Sequence, residues 1–575
     1  MPHQQVRPSQ FVLTFGPGSI VETDSGPVVL KSMDTLFNAI GRQPQDFHII
    51  DERLSRLSLN GARIARIPTN AELGLATDNP IYPTDGFPYW SLCAQHSSYQ
   101  VLYEASTGCP ECPRTAAYRV KAGREAIRFV VACENGHMDD VYWHGLVHNG
   151  PSCGTRHYRW SGGGRALRHV SLTCPKCGKE QNLGQAYGHG WRCTGRQPEY
   201  GGPPRRGTIQ CSKTARIIQR GASNLHVVEL ATALTTMDVS AHLHAVLSNE
   251  RLLGALGVLH RQTGNLNREA LLQEGRYAGL TPDAIEYLAR AEWKEIETAL
   301  NRMLDKRSSD PESLRGDELD WLRSAGTHGA PAIPSSSPGS PPLFEVRRED
   351  VRSMSGPHGR FMLRAVPVSR LRMVMVQTGY RRLSPDSGRL VSTAFQMGGA
   401  TWYPGIELFG EGIFLDTGDS DPDLTGSRVF EWQHRHAADP VPLVHPVHVW
   451  WHTLSHCLLR ALSVDSGYSS AAIRERVYLR LRNGQVAGSG LLLYTVQPGG
   501  DGTMGGMVAL VRRFQSVLTQ ALWDVDTCSN DPLCAEAPAN GAEGAACYSC
   551  LFASETSCEH RNQGLDRLLL SENCP

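Results

Sequence analysis

No stretch of this 575-residue chain approaches the ~18 uninterrupted apolar residues a membrane-spanning helix needs. Its start, Met1-Pro2-His3-Gln4-Gln5-Val6-Arg7-Pro8, also lacks the basic segment and apolar stretch of a secretory signal, so a cytoplasmic protein is expected. There is no G-x4-G-K-[ST] loop and no Asp-Glu-x-His box. The Gly16-Pro17-Gly18 turn therefore has no lysine with which to hold nucleotide phosphates, and ATP hydrolysis by this chain alone is excluded. His452-Thr453-Leu454-Ser455-His456 has the two histidines of a zinc-protease helix but threonine in place of its glutamate, so these histidines are read as packing or hydrogen-bonding groups. Net charge is absent too: Lys+Arg and Asp+Glu are both 57, and the average names no partner.

What the chain does have is cysteine, sixteen in all. A reducing cytoplasm does not maintain structural disulfides, so another use is needed. Three C-x2-C pairs, Cys109/Cys112, Cys174/Cys177 and Cys547/Cys550, supply it, because this spacing lets two thiolates share one tetrahedral zinc. Nine cysteines lie between positions 93 and 211. Grouped by proximity with nearby histidines, they form three sets of four: Cys93, His96, Cys109 and Cys112; Cys133, His137, His148 and Cys153; Cys174, Cys177, Cys193 and Cys211. An alternative joins Cys109 and Cys112 to Cys133 and His137 and leaves Cys93 and Cys153 over. Four N/S ligands close a structural site, whereas a catalytic zinc keeps a position open. The rival enzymatic reading is a zinc hydrolase or nuclease, with Cys133, His137 and His148 as ligands and Asp139 or Asp140 as base.

Length implies several domains. The expected class is α+β and multidomain, with zinc-ribbon-like modules, a helical middle and a mixed α/β carboxyl-terminal domain. Residues 1–90 read as β-rich, with Phe11 to Val21 as strand, turn and strand. Residues 91–220 carry the zinc ligands, and 221–306 read as helical, with Thr281-Pro282-Asp283 as a helix start. The Pro/Ser-rich stretch within 307–342 reads as a linker, 343–435 as a central mixed segment and 436–575 as the terminal domain. Between Arg156 and Arg220 thirteen basic residues face two acids, Glu180 and Glu199. Within that span Arg165, Arg168, Arg192, Arg196, Arg205, Arg206, Lys213, Arg216 and Arg220 are the candidate DNA-backbone contacts. The competing use of this surface is to dock an acidic protein.

Particular motifs add to this. They are Gly16-Pro17-Gly18; Phe87-Pro88-Tyr89-Trp90; Cys133-Glu134-Asn135-Gly136-His137 with Met138-Asp139-Asp140-Val141-Tyr142-Trp143; Arg370-Leu371-Arg372 with Gly379-Tyr380-Arg381-Arg382; and Trp402-Tyr403-Pro404-Gly405-Ile406-Glu407 with Gly410-Glu411-Gly412-Ile413-Phe414. Toward the carboxyl end stand the His452–His456 pair, Gly467-Tyr468, Arg474-Glu475-Arg476-Val477-Tyr478, Pro498-Gly499-Gly500-Asp501-Gly502, Cys547-Tyr548-Ser549-Cys550 and Leu565-Asp566-Arg567. In these the chain resembles, almost end to end, the DrmB family of the DISARM anti-phage defence systems. His96 stands where the pattern has cysteine, and Asp501 interrupts a glycine run. The resemblance implies a non-catalytic subunit that pairs with a DrmA-like superfamily 2 helicase and engages foreign DNA. It also implies a carboxyl-terminal, helicase-associated MrfA-type domain with a four-cysteine zinc cluster. That cluster would use Cys547, Cys550, Cys558 and either Cys534 or Cys528, making about four structural zinc sites in all.

Overall fold

A computed structural model describes residues 6–575 apart from 113–123, 152, 163–165, 202–210, 237–246, 248–249, 264–265, 292, 294–295, 298–299, 301–310, 330–331, 334–340, 419, 438–441, 498–504, 537–542 and 555. The Pro498–Gly502 motif, Arg165, Arg205 and Arg206 thus lie outside the described residues. Helices and strands are mixed throughout, as an α+β reading requires. No described helix is long and apolar enough to cross a membrane. The chain divides into two compact units, Met1–Thr232 with Val374–Glu407, and Ala233–Met373 with Leu408–Pro575. The central segment expected at 343–435 is therefore shared between units.

In the first unit the amino terminus departs from expectation. Pro8–Leu13 is a short helix, followed by a hairpin of Ile20–Thr23 and Gly26–Leu30. Six residues are too few for apolar content to distinguish strand from helix. Pro8 at the first helical position and the Gln10 side chain, which accepts the Arg7 N–H at 3.1 Å, decide for helix. Beyond it are two antiparallel sheets. One runs in the order Glu180–Asn182, Ser171–Thr173, His157–Ser161, Gln100–Glu104, Trp90–Cys93, Arg124–Ala126; the other runs Met138–Asp140, Phe129–Ala132, Thr214–Gln219, Trp191–Arg192. Inward residues of both, among them Leu102, Phe129, Tyr158, Leu172 and Ile217, share one apolar core.

In the second unit the helix Pro446–Asp465 is buried almost all round, from Trp450 and Trp451 to Leu454, Leu458 and Leu462. A helix apolar on every face must sit inside a domain. Here it packs on the antiparallel hairpin Ile473–Arg482 and Gln485–Gln497. Thr281 caps the helix Pro282–Arg290 as its sequence predicts, through its hydroxyl and the Ala284 N–H at 3.3 Å. Two expectations give way. Val227–Leu234, which begins in the first unit and falls in the segment expected to be helical, is a strand, because its β-branched residues find a strand partner. Within the expected linker 307–342, Pro311–His328 is an 18-residue helix whose Glu318 is buried against Arg476.

Candidate metal centres

Two ligand atoms ~2.0–2.3 Å from a common tetrahedral zinc stand roughly 3.3–3.8 Å apart, whereas disulfide sulfurs are bonded at ~2.05 Å. Among the described residues that spacing brings together four clusters built on the cysteine knuckles. Cys93, at the end of the strand Trp90–Cys93, has its Sγ 3.6 Å from Cys112 Sγ. His96 Nε2 lies 3.3 Å from Cys109 Sγ and 3.7 Å from Cys112 Sγ, so histidine serves as the fourth ligand of this set. This first set is the one expected.

The next two sets exchange members relative to sequence proximity. Cys133 follows the strand Phe129–Ala132, and a tight turn through Gly136, φ +81°, brings His137 Nδ1 to 3.5 Å from Cys133 Sγ. The strand Thr214–Gln219 pairs with Phe129–Ala132, with Arg216 opposite Ala132, and Trp191–Arg192 pairs with Thr214–Gln219. Cys211 and Cys193 flank these strands and arrive beside Cys133 at 4.0 and 3.5 Å. The Gly195 N–H and the Asn135 amide donate to the two sulfurs. The thiol hydrogen bond from Cys193 is the largest influence lowering Cys133, and with His137 it outweighs burial to bring that thiol to about 4.

The helix Trp143–His148 ends on the third set. His148 Nε2 is 3.3 Å from Cys153 Sγ, which is 3.4 Å from Cys174 Sγ, and Cys177 completes the group. His148 Nδ1 faces the His144 carbonyl at 3.0 Å, which assigns the proton to Nδ1 and leaves Nε2 to bind metal. Burial resists ionisation of Cys174, but the Cys177 and Lys176 amides prevail and bring it to about 6. The groupings Cys133/His137/His148/Cys153 and Cys174/Cys177/Cys193/Cys211 are thus both corrected, as is the alternative that joined Cys109 and Cys112 to Cys133. Strand order, not chain distance, decides which half-sites meet. The open site of the hydrolase reading is not assembled either. His148 belongs to another set, Asp139 accepts from Arg196 Nη1 at 2.7 Å, and Asp140 accepts from the Tyr89 N–H at 2.9 Å.

In the terminal domain Cys528 Sγ is 3.5 Å from Cys547 Sγ, Cys547 is 3.7 Å from Cys550, and Cys550 is 3.8 Å from Cys534. The choice between Cys528 and Cys534 therefore dissolves: both join, and Cys558 does not. Burial resists ionisation of Cys547, but the Ser549 amide and the Cys528 thiol bring it to about 6. Arg567 of the Leu565-Asp566-Arg567 motif is buried and donates to the Asp526 carbonyl at 2.7 Å and to Asp531, bracing the loop that carries Cys528 and Cys534. Asp566 caps the last helix and accepts from Trp432 Nε1 at 2.9 Å.

The basic candidates separate into internal and surface groups. Arg196 is buried, held by Asp139 and by Tyr89 Oη at 3.1 Å. Arg220 reaches Glu22 at 2.6 Å and the carbonyls of Ala126 and Ile127. Both brace the fold and are unsuited to a phosphate contact. Lys213 is exposed but pairs with Glu134 at 3.2 Å. Arg168, Arg192 and Arg216 are exposed, and the strand register places Arg192 and Arg216 diagonally on one face of a sheet.

Sequence reasoning missed Arg382, which is 1 % exposed. Its Nε donates to the Gly136 carbonyl of the Cys133–His137 turn at 3.0 Å, Nη1 to Leu225 at 2.9 Å, and Nη2 to Gly18 at 2.8 Å. The Gly379-Tyr380-Arg381-Arg382 and Gly16-Pro17-Gly18 motifs are thus two ends of one contact. Gly16 and Gly18 have φ +83° and +84°, and a Cβ on Gly16 would overlap Gln377.

Comparison with known proteins agrees with this anatomy. Residues 7–227 match a domain of unknown function, DUF8724, and residues 454–551 match the MrfA Zn-binding domain, a range that holds all four cysteines of the terminal cluster. DISARM protein DrmB of Bacillus paralicheniformis is 25% identical over 534 residues, covering 86% of this chain and 90% of that protein. The chain has multiple structural zinc sites. It is similar to the DISARM protein DrmB over most of its length, and it carries an MrfA-type zinc-binding domain at its carboxyl end.

Proposed function

We propose that this chain is a non-catalytic, zinc-organised subunit of an anti-phage defence complex, partnering a DrmA-like superfamily 2 helicase and helping to bind foreign DNA in the cytoplasm. The observation that carries the reading is that the zinc ligands gather in complete sets of four, which fold loops and offer no open coordination position, in a chain similar to DrmB almost throughout. ATP hydrolysis is assigned to the partner, since this chain has no phosphate-binding lysine loop. The exposed Arg168, Arg192 and Arg216, with Lys213 beside them in sequence, supply the basic surface.

The test is co-purification with the cognate helicase, followed by DNA binding of the complex and of each chain at two salt concentrations. Reversal of Arg168, Arg192 and Arg216 to glutamate is expected to weaken DNA binding and to lower the salt slope by about 0.9 for each duplex phosphate that is no longer neutralised. An unchanged affinity and slope favours the second reading, a protein-docking adaptor. That reading draws on one observation: Arg196 and Arg220, two of the charges counted toward a DNA surface, are consumed inside the fold.

A further inference from the structure

Cys558, released from the terminal cluster, is not alone. Its Sγ lies 3.2 Å from His452 Nε2, and that nitrogen is 2.8 Å from Glu475 Oε1, which in turn is 3.4 Å from His456 Nε2. The four ligand atoms all lie within 4.8 Å of one another. His452 and His456 stand one turn apart on the helix Pro446–Asp465, Glu475 comes from the strand Ile473–Arg482, and Cys558 comes from the loop that follows the Cys547/Cys550 knuckle. His452, His456 and Glu475 are 0% exposed and Cys558 is 4% exposed.

The hydrogen bonds around the group aim its lone pairs inward. His452 Nδ1 faces the Gly564 carbonyl at 3.1 Å and His456 Nδ1 faces the Leu551 carbonyl at 2.8 Å, which assigns both protons to Nδ1. Both Nε2 atoms then present lone pairs to the same carboxylate oxygen. Ser455 donates to Glu475 Oε2, and this leaves Oε1 for the centre. Neither Glu475 Oε1 nor His456 Nε2 makes a hydrogen bond. The backbone N–H groups of His560 and Asn562 donate to Cys558 Sγ at 3.4 and 3.2 Å, the kind of amide support that Cys193 and Cys528 also receive in their clusters.

Two neutral imidazoles, a carboxylate and a thiolate sum to two negative charges in a site closed to water. Without a metal these contacts set lone pair against lone pair unless the imidazoles or the carboxylate take up further protons, which leaves either a clash or added charge in a dry interior. A dication cancels the charge and uses every lone pair. We propose that His452, His456, Glu475 and Cys558 form a further structural zinc site, separate from the four-cysteine cluster, which clamps the end of the chain onto the central helix of its domain. Two of the four ligands, His452 and Cys558, lie outside the range that matches the MrfA Zn-binding domain. The inference is independent of the helicase and DNA reading.

The test is zinc counting by mass spectrometry on the full chain, with its helicase partner present if solubility requires it, after dialysis against zinc-replete and then zinc-free buffer. The expected result is five zinc per wild-type chain, a loss of one in Cys558→Ser, a loss of one in Cys534→Ser, and a loss of two in the double variant. A wild-type count of four overturns the site without recourse to any variant. So does a double variant that loses only one zinc, because Cys558 would then share the ion held by Cys534. Glu475→Gln is expected to lower the occupancy of the same ion, and a full five zinc in that variant counts against the carboxylate as a ligand and overturns the four-residue site.

Discussion

Serine at Cys177 and serine at Cys211 are expected to remove one zinc each, and the double variant two. These positions report on pairing because the structure puts Cys177 with His148, Cys153 and Cys174, and Cys211 with Cys133, His137 and Cys193. Grouping by chain distance would instead place Cys177 and Cys211 on one ion and limit the double loss to one. The companion double variant Cys133→Ser/Cys211→Ser is expected to lose a single zinc. Cys177 is exposed and Cys211 half-buried, so their replacement disturbs packing less than replacement of the buried Cys133 or Cys193. The energetic consequence is still large. Structural zinc contributes about 10–16 kcal/mol in small zinc modules, as much as the roughly 5–15 kcal/mol by which whole domains are stable. Metal analysis of purified variants, with limited proteolysis of residues 91–220 as the measure of folding, checks both parts. Stripping the wild type with a strong chelator is expected to expose the same region to protease.

Arg382→Ala is expected to cost about 3 kcal/mol or more, since each buried carbonyl left without a donor costs about 1–3 kcal/mol. The guanidinium satisfies carbonyls on three separate segments, at Gly18, Gly136 and Leu225, and lies over the Tyr380 ring at 4.5 Å. Tyr380 in turn donates to the buried Glu199. Removal leaves three acceptors without a donor and loosens the turn between Cys133 and His137. Two readouts should therefore move together: a lower unfolding temperature and weaker zinc retention at the Cys133 set, with the Cys528 set unaffected. Arg382→Lys is expected to recover little, because an ammonium cannot reproduce three N–H donors fixed in one plane. An unchanged melting temperature in Arg382→Ala would show that water replaces the guanidinium at no cost and that the contact is dispensable.

Much of the chemistry was legible without coordinates because it is local. A C-x2-C pair can grip one metal through the geometry of its own turn, so Cys109/Cys112, Cys174/Cys177 and Cys547/Cys550 announced themselves. The proline-led helix after Thr281 and the apolar helix around Trp450 were legible for the same reason, as each depends on residues within a few turns. Reading failed where a short apolar run had no local preference, as at Pro8–Leu13 and Val227–Leu234, whose conformations are set by a cap and by a neighbouring strand. Charge counting failed in a similar way. Arg196 and Arg220 look identical to surface arginines until the acids that face them, Asp139 and Glu22, are known.

The sequence by itself determined that this is a zinc protein without a nucleotide-binding loop, and its motifs determined which proteins it resembles. Only the tertiary structure decided which ligands share an ion. A half-site is closed by local backbone geometry, but two half-sites are joined by strand order and helix packing, and these bring together residues as far apart as Cys133 and Cys211 or His452 and Cys558. The same holds for Glu475. It is one glutamate among many in the sequence, and only the packing of its strand against the central helix puts its carboxylate between two histidines.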